Sequence, residues 1–178
     1  MDANLKVDEL KKLRVEVAER HLVLIQSFFP RIDTKVSALF AISSAQIAVA
    51  SLNITIGDLQ KWYVALAAIL FVAGMAIVQF ALYTCTYPQL KGGSQSIIYF
   101  GEIAKRSEAN FLRDYNAMSL QELHDEIASQ IWRNSEIVAA KYKALKLATR
   151  AIIASLVPWA VILLCTSLLK WSLPTVMQ

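Results

Sequence analysis

Hydrophobic and polar positions divide this chain into blocks. Three stretches carry no charged residue: 36–56 (VSALFAISSAQIAVASLNITI), 62–83 (WYVALAAILFVAGMAIVQFALY) and 151–169 (AIIASLVPWAVILLCTSLL). A hydrocarbon core of about 30 Å is crossed by about 20 residues at ~1.5 Å each, so each block has the length of a membrane-spanning helix. The rest alternates charged and apolar positions at spacings of three and four. Residues 3–28 predict an amphipathic helix whose stripe is Leu10, Leu13, Val17, His21, Leu24 and Phe28, ended by Pro30. Arg31 to Lys35 then predict a short junction, with Asp33 as the N-cap of the first span.

Beyond the second block, Pro88 and Gly92-Gly93 predict a loop over 88–98, and a helix is expected from about Ile98 to Ala117. Ser119-Leu120-Gln121-Glu122 is a capping-box pattern. No breaker follows until Pro158, so one helix of about 50 residues, roughly 75 Å, is expected to run into the third span. Its inner stripe is Leu120, Leu123, Ile127, Ile131, Val138 and Leu145. No strand pattern competes. The expected fold is all-α: three transmembrane helices plus a helical bundle, with the third span continuous with a long helix outside the membrane. The segments are 1–35, 36–83 (a transmembrane hairpin), 84–150 (a helical hairpin) and 151–178.

The spans carry features of their own. Ser37, Ala41, Ser44, Ala48 and Ser51 place small side chains on one face of the first, where another helix can approach closely. Gln46 and Gln79 each bring an amide into hydrocarbon, which calls for a partner from within the chain or from a second copy. Pro158 is expected to kink the third span.

Charge sets the orientation. Of 18 Lys and Arg, seven fall in residues 1–35 and nine in 84–150, while the loop GDLQK and the tail KWSLPTVMQ hold one each. By the positive-inside rule the N-terminus and residues 84–150 face the cytoplasm, and the C-terminus lies outside. Acidic residues are mixed among the basic ones, so the net charge of +4 and pI near 9.1 read as solvated helix faces rather than a nucleic-acid surface. Residues 1–20 lack an apolar signal-peptide core, so the first block is expected to act as its own uncleaved insertion signal. Cys85 and Cys165 sit near the ends of different blocks and form no disulfide or metal framework. No phosphate-binding loop, GxSxG, HExxH or dinucleotide turn is present, and His21 and His124 have no partner at ligand spacing. Neither a metal, a cofactor nor an enzymatic activity is expected.

Three strings group candidate ligand contacts: Arg31-Ile32-Asp33-Thr34-Lys35; Ile98-Tyr99-Phe100-Gly101-Glu102-Ile103-Ala104; and Gln130 to Ile137 followed by Lys141-Tyr142. Aromatic rings such as Tyr99 and Phe100 can stack on a base, and Lys or Arg can hold phosphate. The same residues also suit helix packing and interfacial anchoring. HLxLIQxFFPRIDTKVSALFAISSAQ, IYFGEIAKRS and QIWRNSEIVAAKYKALKLA occur in order around the spans, from about His21 to Ala148. Together they resemble the Pycsar transmembrane effector family. The resemblance implies an anti-phage effector of the bacterial inner membrane, activated by a cyclic pyrimidine mononucleotide (cCMP or cUMP) from a partner cyclase, which acts by impairing the bilayer, as a homo-oligomer. It implies ligand contacts among Arg31, Asp33, Lys35, Tyr99, Phe100, Glu102, Gln130, Ser135, Lys141 and Tyr142. The alternative is a constitutive membrane-anchored helical interaction protein with no nucleotide response.

Overall fold

The computed structural model describes residues 2–87 and 95–171. The expected loop residues Pro88 and Gly92-Gly93, and the side chains of Lys170 and Trp171, lie outside what it describes. Every regular element among the described residues is helical: α1 (Asp2–Gln26), α2 (Phe28–Asn53), α3 (Ile56–Leu59), α4 (Trp62–Thr86), α5 (Phe100–Ile103), α6 (Glu108–Ala117) and α7 (Leu120–Trp171). Three helices are long and apolar enough to cross a membrane, and the protein is a membrane protein. The chain forms two units. Unit 1 comprises residues 1–31 and 88–140; unit 2 comprises 32–87 and 141–178.

Unit 2 is a three-helix bundle of α2, α4 and the second half of α7. Its core joins Ala50 to Phe71, Met75, Val78 and Leu82, and to Ala148, Ile152 and Ile162. At Gly74 a Cβ would lie 3.3 Å from the Ser155 Cβ, so the missing side chain is what lets α4 approach α7 this closely. The expected small-residue face of α2 is not used inside the chain. Ser37, Ala41, Ser44, Ala48 and Ser51 are all exposed, and the inward face is Ile32, Ser43, Gln46 and Ala50. The hairpin between the first two spans holds one helical turn, α3, where the Asp58 carboxylate accepts from Thr55 N (3.0 Å) and Thr55 Oγ1 (2.7 Å).

The junction expected at Arg31–Lys35 is helical instead, and Asp33 is an interior residue of α2 rather than a cap. The break falls earlier, at Ser27, whose Oγ donates to Leu24 O. Pro30 lies in the first turn of α2, where an N–H has no intrahelical acceptor, so proline costs the helix nothing there.

Unit 1 is built on α1 and the first half of α7. Val15, Ala18 and Ile127 are buried, with Leu22, Ile98, Leu120, Leu123 and Ile131 packed around them. The expected stripe of α1 is not its most deeply packed face: Leu10, Leu13, Val17 and Leu24 are each more than half exposed. The smaller Val15 and Ala18 sit one turn apart on the opposite stripe and fit against α7. The single helix expected over 98–117 is interrupted, because Ser107 takes an extended conformation and caps α6 by accepting from Asn110 N. The capping box at α7 forms as its pattern predicts. Ser119 N donates to Glu122 Oε2 (2.7 Å) and Glu122 N to Ser119 Oγ (3.3 Å). From there α7 runs unbroken for 52 residues with Pro158 inside it.

Candidate functional site

Of the ten residues singled out in the sequence, eight fall into two clusters. Gln130 and Lys141 both belong to α7, and each anchors a different cluster.

In unit 2, Asp33, Lys35, Lys141 and Tyr142 come together where α2, α4 and α7 meet. The Lys141 side chain is only 11% exposed, and its Nζ donates to Cys85 O at 2.6 Å. Cys85 is the next-to-last residue of α4, so its carbonyl has no partner within the helix, and the ammonium satisfies it. In return, Cys85 Sγ donates to Lys141 O at 3.1 Å. This reciprocal pair clamps α4 to α7. Asp33 Oδ1 stands 3.8 Å from Lys141 Nζ and supplies the counter-charge from α2. Lys35 Nζ lies 5.9 Å from the centre of the Tyr142 ring, within cation–π range. Lys141 is therefore committed to closing the bundle, while Lys35 and Asp33 stay open to solvent.

In unit 1, Gln130 is buried and joins a node built on Ser96. Gln130 Nε2 donates to Ser96 Oγ (3.2 Å), the same oxygen accepts from Tyr99 N (2.9 Å) and Ile98 N (3.3 Å), and the Ser96 hydroxyl bonds Glu126. This fixes the segment leading into α5. Tyr99 and Phe100 pack ring against ring at 4.8 Å, and the Tyr99 ring lies over Gly101, where a Cβ would meet it at 2.7 Å. Glu102 accepts from Lys105 Nζ (2.5 Å) and from Gln95 N (3.1 Å). The Lys105 ammonium first, then the Gln95 amide, hold the Glu102 carboxyl below its ordinary range. Gln95 sits at φ 65°, a left-handed conformation that costs a side-chain-bearing residue about 1–2 kcal/mol. Glu102 on its N–H and Arg106 on its carbonyl pin it there, and Arg106 also pairs with Asp114 at 3.2 Å.

Two candidates stand apart. Ser135 Oγ donates to Ile131 O of its own helix (2.7 Å). Arg31 lies over the Phe28 ring at 5.6 Å. Sequence reasoning missed Ser96, Cys85 and Arg106. Ser96 two and three residues before the amides it caps is a recognisable serine-turn signal, but the other two act through partners distant in the chain.

One polar side chain of unit 2 is left unmatched. Gln46 is 6% exposed, and neither its Nε2 nor its Oε1 has a partner. Gln79 Nε2, by contrast, reaches Ser43 Oγ at 3.2 Å, and Trp159 Nε1 donates to the Gln46 backbone carbonyl. Among the described residues no group of His, Cys, Asp and Glu could hold a metal ion.

Compared with known families, the chain matches the Pycsar effector protein domain over residues 17–167. No curated protein and no solved structure matches it.

Proposed function

The chain belongs to the Pycsar effector family and so serves in anti-phage defence at a membrane, and from that premise we propose that a cyclic pyrimidine mononucleotide, cCMP or cUMP, switches it on to impair the bacterial inner membrane. The nucleotide comes from a partner cyclase. The N-terminus and residues 84–150 face the cytoplasm, the C-terminus faces the periplasm, and the working form is a homo-oligomer. The chain carries out no chemistry of its own: ligand binding shifts a population between two arrangements of the spans.

The observation that carries this reading is α7. One helix of 52 residues contributes Ile127 and Gln130 to the charged unit and Ala148, Ile152 and Ile162 to the membrane bundle. A ligand that favours one arrangement by about 5.5 kcal/mol turns a 1:99 mixture into 99:1. Protein reconstituted in liposomes should release trapped dye when cCMP or cUMP is added. Intact, folded protein that leaks with neither nucleotide overturns the proposal. The exposure of Leu10, Leu13, Val17 and Leu24 favours one rival, a constitutive docking helix. That rival predicts a bound protein partner and no response to nucleotide.

A further inference from the structure

Between α1 and α7, unit 1 holds an open groove of about 460 Å³ that contains none of the ten sequence candidates. Its lining pairs an apolar floor with cationic and heteroaromatic side chains. Ala18 and Leu13 from α1 and Ala128 and Ile131 from α7 form the floor; His21 and Arg14 from α1 and His124 from α7 complete it.

Arg14 has no ion-pair partner among the described residues, and the positions one turn away, Leu10, Lys11, Val17 and Ala18, carry no carboxylate. Its guanidinium, with donors in a planar fork, is free for an anion. His124 Nδ1 lies 3.2 Å from Asp125 Oδ1. An ionised carboxylate only accepts, so it fixes the proton on Nδ1 and leaves Nε2 as an acceptor for an N–H donor. His21 has no hydrogen-bond partner among the described residues. The volume is in the range of small-molecule sites, roughly 300–1,000 Å³, and the mix of apolar walls with a few polar groups is typical of them.

We propose that this groove binds a small, flat, anionic heterocycle of the size and charge of a cyclic mononucleotide. Arg14 takes the phosphate, the two imidazoles flank the ring, and His124 Nε2 accepts from a ring amino or imide group. The occupant follows from charge complementarity: one unpaired guanidinium matches one phosphate charge, and an apolar floor beside two rings suits a base. That the occupant is a cyclic mononucleotide, and a pyrimidine one, rests on the function proposed above; that the groove suits a small flat anion rests on its lining.

The test titrates cCMP, cUMP, cAMP and cGMP into the full chain in detergent micelles by calorimetry, for the wild type, Arg14→Gln and His124→Gln. Arg14 is exposed and His124 is partly so, and unchanged melting checks that both variants fold. Loss of a charge-assisted phosphate contact should weaken binding roughly 10- to 100-fold in Arg14→Gln, with a smaller loss in His124→Gln. A pyrimidine nucleotide bound by the wild type and weakened in both variants supports the groove and the proposed function together. A purine nucleotide behaving this way supports the groove and overturns the pyrimidine reading. Tight binding that neither variant changes overturns the groove while leaving the proposed function standing. No binding of any of the four overturns both. Molecular mass is followed by light scattering in parallel, and a mass that falls in Arg14→Gln with unchanged nucleotide affinity would assign the groove to a second copy of the chain and overturn the proposal.

Discussion

Among the described residues, the core cluster of the charged unit holds three buried apolar side chains, Val15, Ala18 and Ile127, whereas that of the membrane unit holds ten. The larger core thus sits in the medium that rewards apolar burial least, because lipid tails are as apolar as leucine. Contact geometry has to hold that unit: Gly74 against Ser155, and the clamp between Cys85 and Lys141. The charged unit gains more from each buried group, since water is the alternative. It buries few, and polar ties supply the rest: the Ser96 node, the pinned Gln95 and the cap at Ser119. Few buried contacts and many exposed hydrogen bonds mark the part of a protein that opens most readily. On this comparison the charged unit is the one that opens more readily.

Matched truncations test the contrast most strongly. Ile127→Ala should cost about 2–5 kcal/mol, the range for a buried isoleucine in water, read as faster amide exchange along α1. Ile162→Ala, equally buried in the membrane unit, should cost less because only packing contacts are lost. Equal losses would remove the distinction between the units. Next in size is Gln46→Leu. The amide is buried with both polar atoms unmatched, so its removal should stabilise the bundle by about 1–3 kcal/mol, read as a higher melting temperature in detergent. A fall in melting temperature would show that the amide has a partner in the membrane. The smallest effect concerns Glu102, whose carboxyl is held below its ordinary range by Lys105 and Gln95. A depressed folded-state value stabilises the fold above the ordinary carboxylate range, about 4.3, and that contribution is lost as the pH falls through the lower folded value. The Gln95 amide should therefore loosen at acid pH, seen as a shift of its proton resonance, and Glu102→Gln should abolish that titration.

Much of this was legible along the chain. The uncharged blocks yield the three spans, and Ser119 with Glu122 marks the start of α7 to the residue. Where structure and expectation differ the cause is shared: a local signal acts according to its position in the helix. Pro30 reads as a stop, yet in the first turn of α2 it is harmless, and the break passes to Ser27. Leu10, Leu13, Val17 and Leu24 are the bulkiest stripe of α1, yet the face that packs is the one where Val15 and Ala18 allow closer approach. Ser107 looks like an interior polar residue until its capping bond with Asn110 N is seen. For the candidate site, Lys141 suggests a phosphate contact by type, but its commitment to Cys85 O depends on a residue 56 positions away, which no local window contains. Arg14 and His124 lie 110 positions apart, so the sequence shows His124 without a partner at ligand spacing and gives no sign that the two share a groove.

Proline 158 gives the long helix a mechanical character. It has no N–H to offer the carbonyl of Ala154, one turn earlier, so the backbone ladder of α7 lacks a rung there. Pro158 is the one proline inside α7 among the described residues. Bending compliance is therefore concentrated at a level inside the lipid, close to Trp159 and its bond to the backbone of α2.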